Sequence, residues 1–118
     1  MKKTLLFIVS FFYIFSLLAQ NSNVFESLKF ESKLVNYPVE YTVYLPPDYD
    51  TSNRSYPILY LLHGYSDDET GWIQFGEANM IADKGIRNGD YPPCIIVMPD
   101  GKVSWYCNNF DGSDRWED

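Results

Sequence analysis

Two short runs, "ILYLL" (Ile58–Leu62) and "IIVM" (Ile95–Met98), restrict the fold of this chain more than any other feature. Neither alternates and neither carries a charge, and proline and glycine bound them. Such runs read as strands buried on both faces, the habit of parallel sheets covered by helices. Between them Ala78, Ile81, Ala82 and Ile86 fall at helical spacing, and Gly89 is placed to end that helix. Strand, helix and strand make a βαβ unit. Upstream, "PVEYTVYLP" alternates: Val39, Tyr41, Val43 and Leu45 against Glu40, Thr42 and Tyr44. That predicts a strand with the first set buried and the second wetter. Residues 26–34 alternate more weakly, with Leu28 and Phe30 on one face, and the segment from Pro46 to Pro57 reads as a loop. The class is α/β, an antiparallel hairpin followed by a βαβ unit in a mixed sheet.

The first 19 residues have a different character. Met1-Lys2-Lys3 is basic, Thr4 to Leu18 forms an apolar run of about 15 residues, and Ala19 precedes the polar "QNSN". This is the pattern of a secretory signal peptide, and it is short for a membrane span of roughly 20 residues. Cleavage is expected after Ala19, giving a secreted or periplasmic protein with no membrane attachment after the cut. Without residues 1–19, which hold two lysines and no acids, the formal net charge of −7 becomes −9. So acidic a chain is a poor partner for nucleic acid or an anionic membrane surface.

Cys94 opens one predicted strand and Cys107 lies beyond its far end. A strand of five or six residues spans roughly 17–20 Å, against about 7 Å for a disulfide's Cα atoms. Two free, partly buried thiols are expected. His63 is the only histidine. With no second histidine and no regular ladder of aspartates, Asp67, Asp68 and Glu69 do not suggest a metal site. Ser66 and Glu69 instead have the spacing of a capping box at a helix start.

The segments "VEYTVYLPPDYD", "YPILYLLHGYSDDETGW" and "IIVMPDG", in this order and spacing, resemble the amino-terminal half of one esterase branch of the α/β-hydrolases. That branch includes feruloyl and acetylxylan esterases, S-formylglutathione hydrolases, enterochelin esterases and the antigen 85 mycolyltransferases. The resemblance implies an α/β-hydrolase fold and a serine nucleophile, with no cofactor or metal. It also implies two backbone N–H groups that stabilise the oxyanion, one of them from the loop after the third strand. Carried onto this chain, the donor is the N–H of Tyr65, with Gly64 making the turn that a side chain would obstruct. His63 comes too early in the chain for the triad order of serine, acid, histidine, so its ring is expected to hydrogen-bond the backbone of the turn. Trp105, Tyr106 and Asn108, after the fourth strand, are candidates to contact the acyl or sugar part of the substrate.

No serine has the G-x-S-x-G context of a nucleophile elbow: Ser66 stands in "GYSDD" and Ser113 in "DGSDR". Residues 20–118 are therefore expected to be a partial hydrolase domain, an incomplete sheet without elbow or triad, inactive by itself. Missing its neighbour, "ILYLL" would form an apolar open edge prone to aggregation. The expected substrate is an ester-linked acyl group on a plant polysaccharide, the secretion signal favouring that over the cytosolic hydrolases. The rival reading is a secreted carbohydrate-binding protein whose many aromatics stack on sugars.

Overall fold

The computed structural model describes residues 21–117; the expected signal peptide lies outside them. Four strands and two helices follow in order: β1 (Asn23–Glu31), β2 (Pro38–Leu45), β3 (Ile58–Tyr60), α1 (Gly71–Gln74), α2 (Ala78–Asn88) and β4 (Ile95–Pro99). They build one sheet of order β1-β2-β4-β3. The β1/β2 and β2/β4 pairs are antiparallel, and β3/β4 is parallel with Leu59 opposite Ile96. The hairpin-plus-βαβ reading holds. Strand β1 begins earlier than the weak alternation suggested and carries a bulge between Phe25 and Leu28, where Ser27 has φ 53°. A positive φ at a non-glycine residue matches the extra residue that a bulge inserts.

Helix α2 connects β3 to β4 as the crossover of the βαβ unit, with Ala82 in one core cluster with Tyr44 of β2 and Ile96 and Met98 of β4. It ends as expected, with Gly89 at φ 76° capping the backbone through bonds to Gly85 O and Ile86 O. Its buried face is Ala78, Ala82 and Gly85, small residues that let the helix approach the sheet. Ile81 departs from expectation: it is 63% exposed, because the face that meets the sheet runs along the small residues.

The core consists of Tyr44, Ala82, Ile96 and Met98, with Val24, Leu61, Ile73, Ile86 and Cys94 against it. For β2 the expectation holds at Val39, which is buried, and fails at the residues beyond it, where Tyr41, Val43 and Leu45 are only half-buried. The supposedly wetter residues Thr42 and Tyr44 are fully buried, since α2 covers their face and the carboxylate of Asp83 accepts the Tyr44 hydroxyl at 2.7 Å. A tyrosine can line a core when its hydroxyl finds such a partner. The opposite face is the open one. There Phe30, Tyr41, Tyr60, Leu62 and Trp116 surround a groove of about 580 Å³.

Strand β3 is not buried on both faces but forms the open apolar edge expected of a partial domain. Ile58, Leu59 and Tyr60 are 53, 47 and 62% exposed, because β3 is an edge strand paired on one side only. Cys94 is half-buried and Cys107 exposed, both unpaired, so one of the two thiols is more open than expected.

Candidate functional site

The site forms where β3 and β4 both end, at their carboxyl termini, the usual place for ligands in open α/β sheets. The β3/β4 ladder runs one residue past Tyr60, through Leu61 N–H to Val97 O at 3.0 Å. The chain then turns at His63-Gly64. His63 is 8% exposed, and its backbone N–H donates to the Tyr106 hydroxyl at 3.2 Å. Its Nδ1 lies 2.8 Å from Gly64 O, and its Nε2 accepts the Gly101 N–H at 3.0 Å. Gly64 O can only accept and Gly101 N–H can only donate, so these two bonds call for a ring proton on Nδ1 and a free lone pair on Nε2. The Asp100 carboxylate is farther from Nε2, at 3.3 Å. The expected backbone role of His63 is what the geometry gives.

From the other strand, Asp100 is buried at the end of β4 and organises its own loop. Its Oδ1 accepts Lys102 N–H at 2.7 Å and its Oδ2 meets Lys102 Nζ at 2.9 Å. That hydrogen bond raises the Lys102 ammonium above the ordinary lysine range. Tyr106 closes the circuit, donating its hydroxyl to Pro99 O at 2.9 Å while accepting from His63. Burial pushes its phenol up from the ordinary value, so it stays a protonated donor. Its ring stands edge-on to His63 and to Trp116.

These two loops form a pocket of about 220 Å³ lined by Leu62, Gly64, Tyr65, Val103, Trp105 and Tyr106, together with His63 and Lys102. Tyr65 and Trp105 are 66 and 73% exposed and stack at 6.0 Å between ring centroids, 26° from parallel. The Tyr65 N–H has no hydrogen-bond acceptor among the described residues. The turn at Gly64 does not itself call for glycine, contrary to expectation. A Cβ there would meet nothing within 4 Å, and its φ is not positive. The missing side chain leaves the pocket floor open to close approach by a ligand.

Of the three residues proposed to touch substrate, Trp105 and Tyr106 line the pocket and Asn108 does not. Asn108 holds the following loop closed, its Oδ1 accepting Glu117 N–H at 2.9 Å. The capping box is absent. Helix α1 starts at Gly71, with Thr70 at its N-cap, while Ser66 sits at φ 64° and Glu69 is buried against the Ser27 hydroxyl at 2.7 Å. Asp68 does the local work, its Oδ1 accepting Thr70 N–H at 2.8 Å and the Thr70 hydroxyl at 2.7 Å. Those bonds hold its carboxyl below the usual carboxylate range. Sequence reasoning did not anticipate Asp100 or Gly101 at the site. Their signal was the "MPDG" that ends the second apolar run, at the same sheet edge as "LHG".

Comparison with known proteins agrees with this arrangement. Residues 32–118 match the family model described as "Putative esterase". The chain belongs to this esterase family. Within it, the chain is similar to an esterase of Mycobacterium tuberculosis, 37% identical over 93 residues that cover 75% of this chain and 19% of that protein. It is also similar to an endo-1,4-beta-xylanase/feruloyl esterase of Xylanibacter ruminicola, 41% identical over 63 residues, half of this chain and 9% of the other. Among solved structures, a ferulic acid esterase superposes with a TM-score of 0.68 at 30% identity, over 72% of this chain and 32% of that one. An S-formylglutathione hydrolase of Staphylococcus aureus gives 0.61 at 25% identity, over 80% and 36%. The family members carry the α/β-hydrolase fold, and the four-stranded mixed sheet is part of it. The chain spans about a fifth of the mycobacterial esterase and about a third of the ferulic acid esterase.

Proposed function

We propose that this chain supplies the oxyanion loop of a secreted serine carboxylic-ester hydrolase that acts on ester-linked acyl groups of plant polysaccharides, of the feruloyl or acetylxylan esterase type. The observation that carries this is the Tyr65 N–H, without an acceptor, on a loop at the carboxyl end of a parallel strand and beside an apolar pocket. A free backbone donor in that position suits the negative charge that develops on an ester carbonyl oxygen during attack. The Xylanibacter relative's name joins feruloyl esterase to xylanase. A Clostridium thermocellum feruloyl esterase module, 30% identical, was solved with sinapinate. Both support an aromatic acyl group as substrate. The basic and apolar pattern of residues 1–19 supports secretion. These 118 residues contain no G-x-S-x-G, so the loop serves a nucleophile they do not hold.

A second reading, sugar binding without catalysis, is favoured by the exposed Tyr65–Trp105 stack. Saturation-transfer NMR of the chain with methyl ferulate and with xylohexaose separates the two. On the esterase reading the ferulate ring protons receive saturation, and Trp105→Ala abolishes it. Transfer to the xylohexaose protons alone would replace the esterase reading with the binding one.

A further inference from the structure

The Gly64–Tyr65 peptide is gripped by its carbonyl and free at its amide. Gly64 O accepts from His63 Nδ1 at 2.8 Å and from Asp67 N–H at 3.2 Å, while Tyr65 N–H has no acceptor among the described residues. In a planar trans peptide the C=O and N–H point in opposite directions. The imidazole that holds Gly64 O therefore sets the direction of the Tyr65 N–H, which faces away from His63. That control works only while the ring keeps its proton on Nδ1 and its Nε2 on Gly101 N–H.

What fixes His63 itself comes from the next loop. The Tyr106 hydroxyl takes the His63 N–H and gives its own proton to Pro99 O, tying the end of β3 to the end of β4. Its ring also seals the far side of Gly101, where a Cβ would lie 2.4 Å from it. Both loops are strained. Of the six non-glycine residues at positive φ among the described residues, Ser66, Lys102, Trp105 and Tyr106 lie here. Such conformations are strained and persist only where surrounding bonds hold them.

We infer that the Tyr106 hydroxyl is the positioning group of the oxyanion loop: by bridging His63 N–H and Pro99 O it seats the imidazole on Gly101 N–H and Gly64 O and so aims the Tyr65 N–H. The hydroxyl has donated its proton and accepted one, which leaves it poorly placed to recognise substrate. This deepens the oxyanion reading of Tyr65 and rests on it.

Hydrogen–deuterium exchange on the full 118-residue chain, read by mass spectrometry with electron-transfer fragmentation, tests the link without any ester. Gly101 N–H donates to the His63 ring and also meets the Tyr106 hydroxyl, so the informative amide is Asp67, whose N–H donates to Gly64 O and which should exchange faster along with Gly101. Tyr106→Phe keeps the ring and removes the bridge. The expected result is exchange at Asp67, Gly101 and His63 about three- to tenfold faster, from the loss of one hydrogen bond, with Val43, Tyr44 and Ile96 unchanged. Tyr106→Leu should add no more than about a twofold change to that. Wild-type exchange at Asp67 in Tyr106→Phe would mean that the hydroxyl does not act on Gly64 O through the imidazole, and the inference fails. Equal acceleration across β2 and β4 would mean that the hydroxyl serves overall stability, and it fails again. If the ferulate experiment fails while Asp67 responds, the loop is held as described but has no oxyanion to serve.

Discussion

His63 and Gly64 are adjacent, and they owe their places to opposite needs. His63 is surrounded: both ring nitrogens and its N–H have partners. Gly64 is bare, with nothing within 4 Å of where a Cβ would stand. Gly64→Ala should therefore leave stability within about 0.5 kcal/mol of the parent while narrowing the pocket next to the Tyr65 N–H. Chemical denaturation should show the unchanged midpoint, and the saturation transfer to methyl ferulate should fall several-fold. A large loss of stability would show that the turn, not the pocket, requires glycine. At this scale the sequence showed that the lone histidine was not a triad member, from its position alone. It could not show the capping box to be false. Ser66, Asp67, Asp68 and Glu69 contain two overlapping turn signals, and the choice between them depends on Ser27, 42 residues away from Glu69, which takes that carboxylate out of the helix start.

Between elements, the same kind of long-range choice decides β2 and α2. Strict alternation in β2 was legible, but not which side faces the helix. That depends on Asp83 accepting the Tyr44 hydroxyl and on the small face of α2, whose alanines carry little hydrophobic signal. Two substitutions on α2 check the assignment. Ala82→Leu forces extra methylenes against Tyr44 and Met98, and should cost about 1–3 kcal/mol. Ile81→Glu, on a residue 63% exposed, should change stability by less than about 0.5 kcal/mol. Urea midpoints in the reverse order would restore the apolar periodicity as the guide to the buried face. The Tyr44–Asp83 contact also makes this packing sensitive to alkali. Burial first, and then the neighbouring carboxylate, raise the Tyr44 phenol above its ordinary range. A raised native value means that the folded chain keeps a proton the unfolded chain releases. Its contribution is thus complete below about pH 10 and lost as pH rises beyond it. Unfolding free energies compared at about pH 9 and pH 11 should fall, and Tyr44→Phe should flatten that fall; an equal slope in both proteins would remove Tyr44 as its source.

For the whole molecule, the sheet's two edges are unequal. Strand β1 ends one side with charged side chains, Lys29 paired to Glu40 across the β1/β2 register. Strand β3 ends the other with Ile58, Leu59 and Tyr60, all exposed on a parallel strand whose outer hydrogen-bonding groups have no partner strand. Continuous with it on the open face is the groove of Phe30, Tyr41, Leu62 and Trp116. An apolar edge beside an apolar groove is a template for pairing with another chain. The apolar character of this edge was legible in "ILYLL", and its exposure was legible only through the absent G-x-S-x-G, which removes the expected second neighbour; the run alone reads as a strand buried on both faces. The chain should associate as its concentration rises, with light scattering after size exclusion giving masses above the monomer's 13.8 kDa. Ile58 and Tyr60 point to the same side of β3, two residues apart, so Ile58→Lys with Tyr60→Lys sets two charges on one face of the edge. The double variant should return the mass to the monomer's while leaving the Gly101 and His63 amides as slow to exchange as before, since neither residue touches the loop network. Monomeric wild-type chain at every concentration would show that the edge is protected, and a double variant that still associates would remove Ile58 and Tyr60, the latter shared by edge and groove, as the contact.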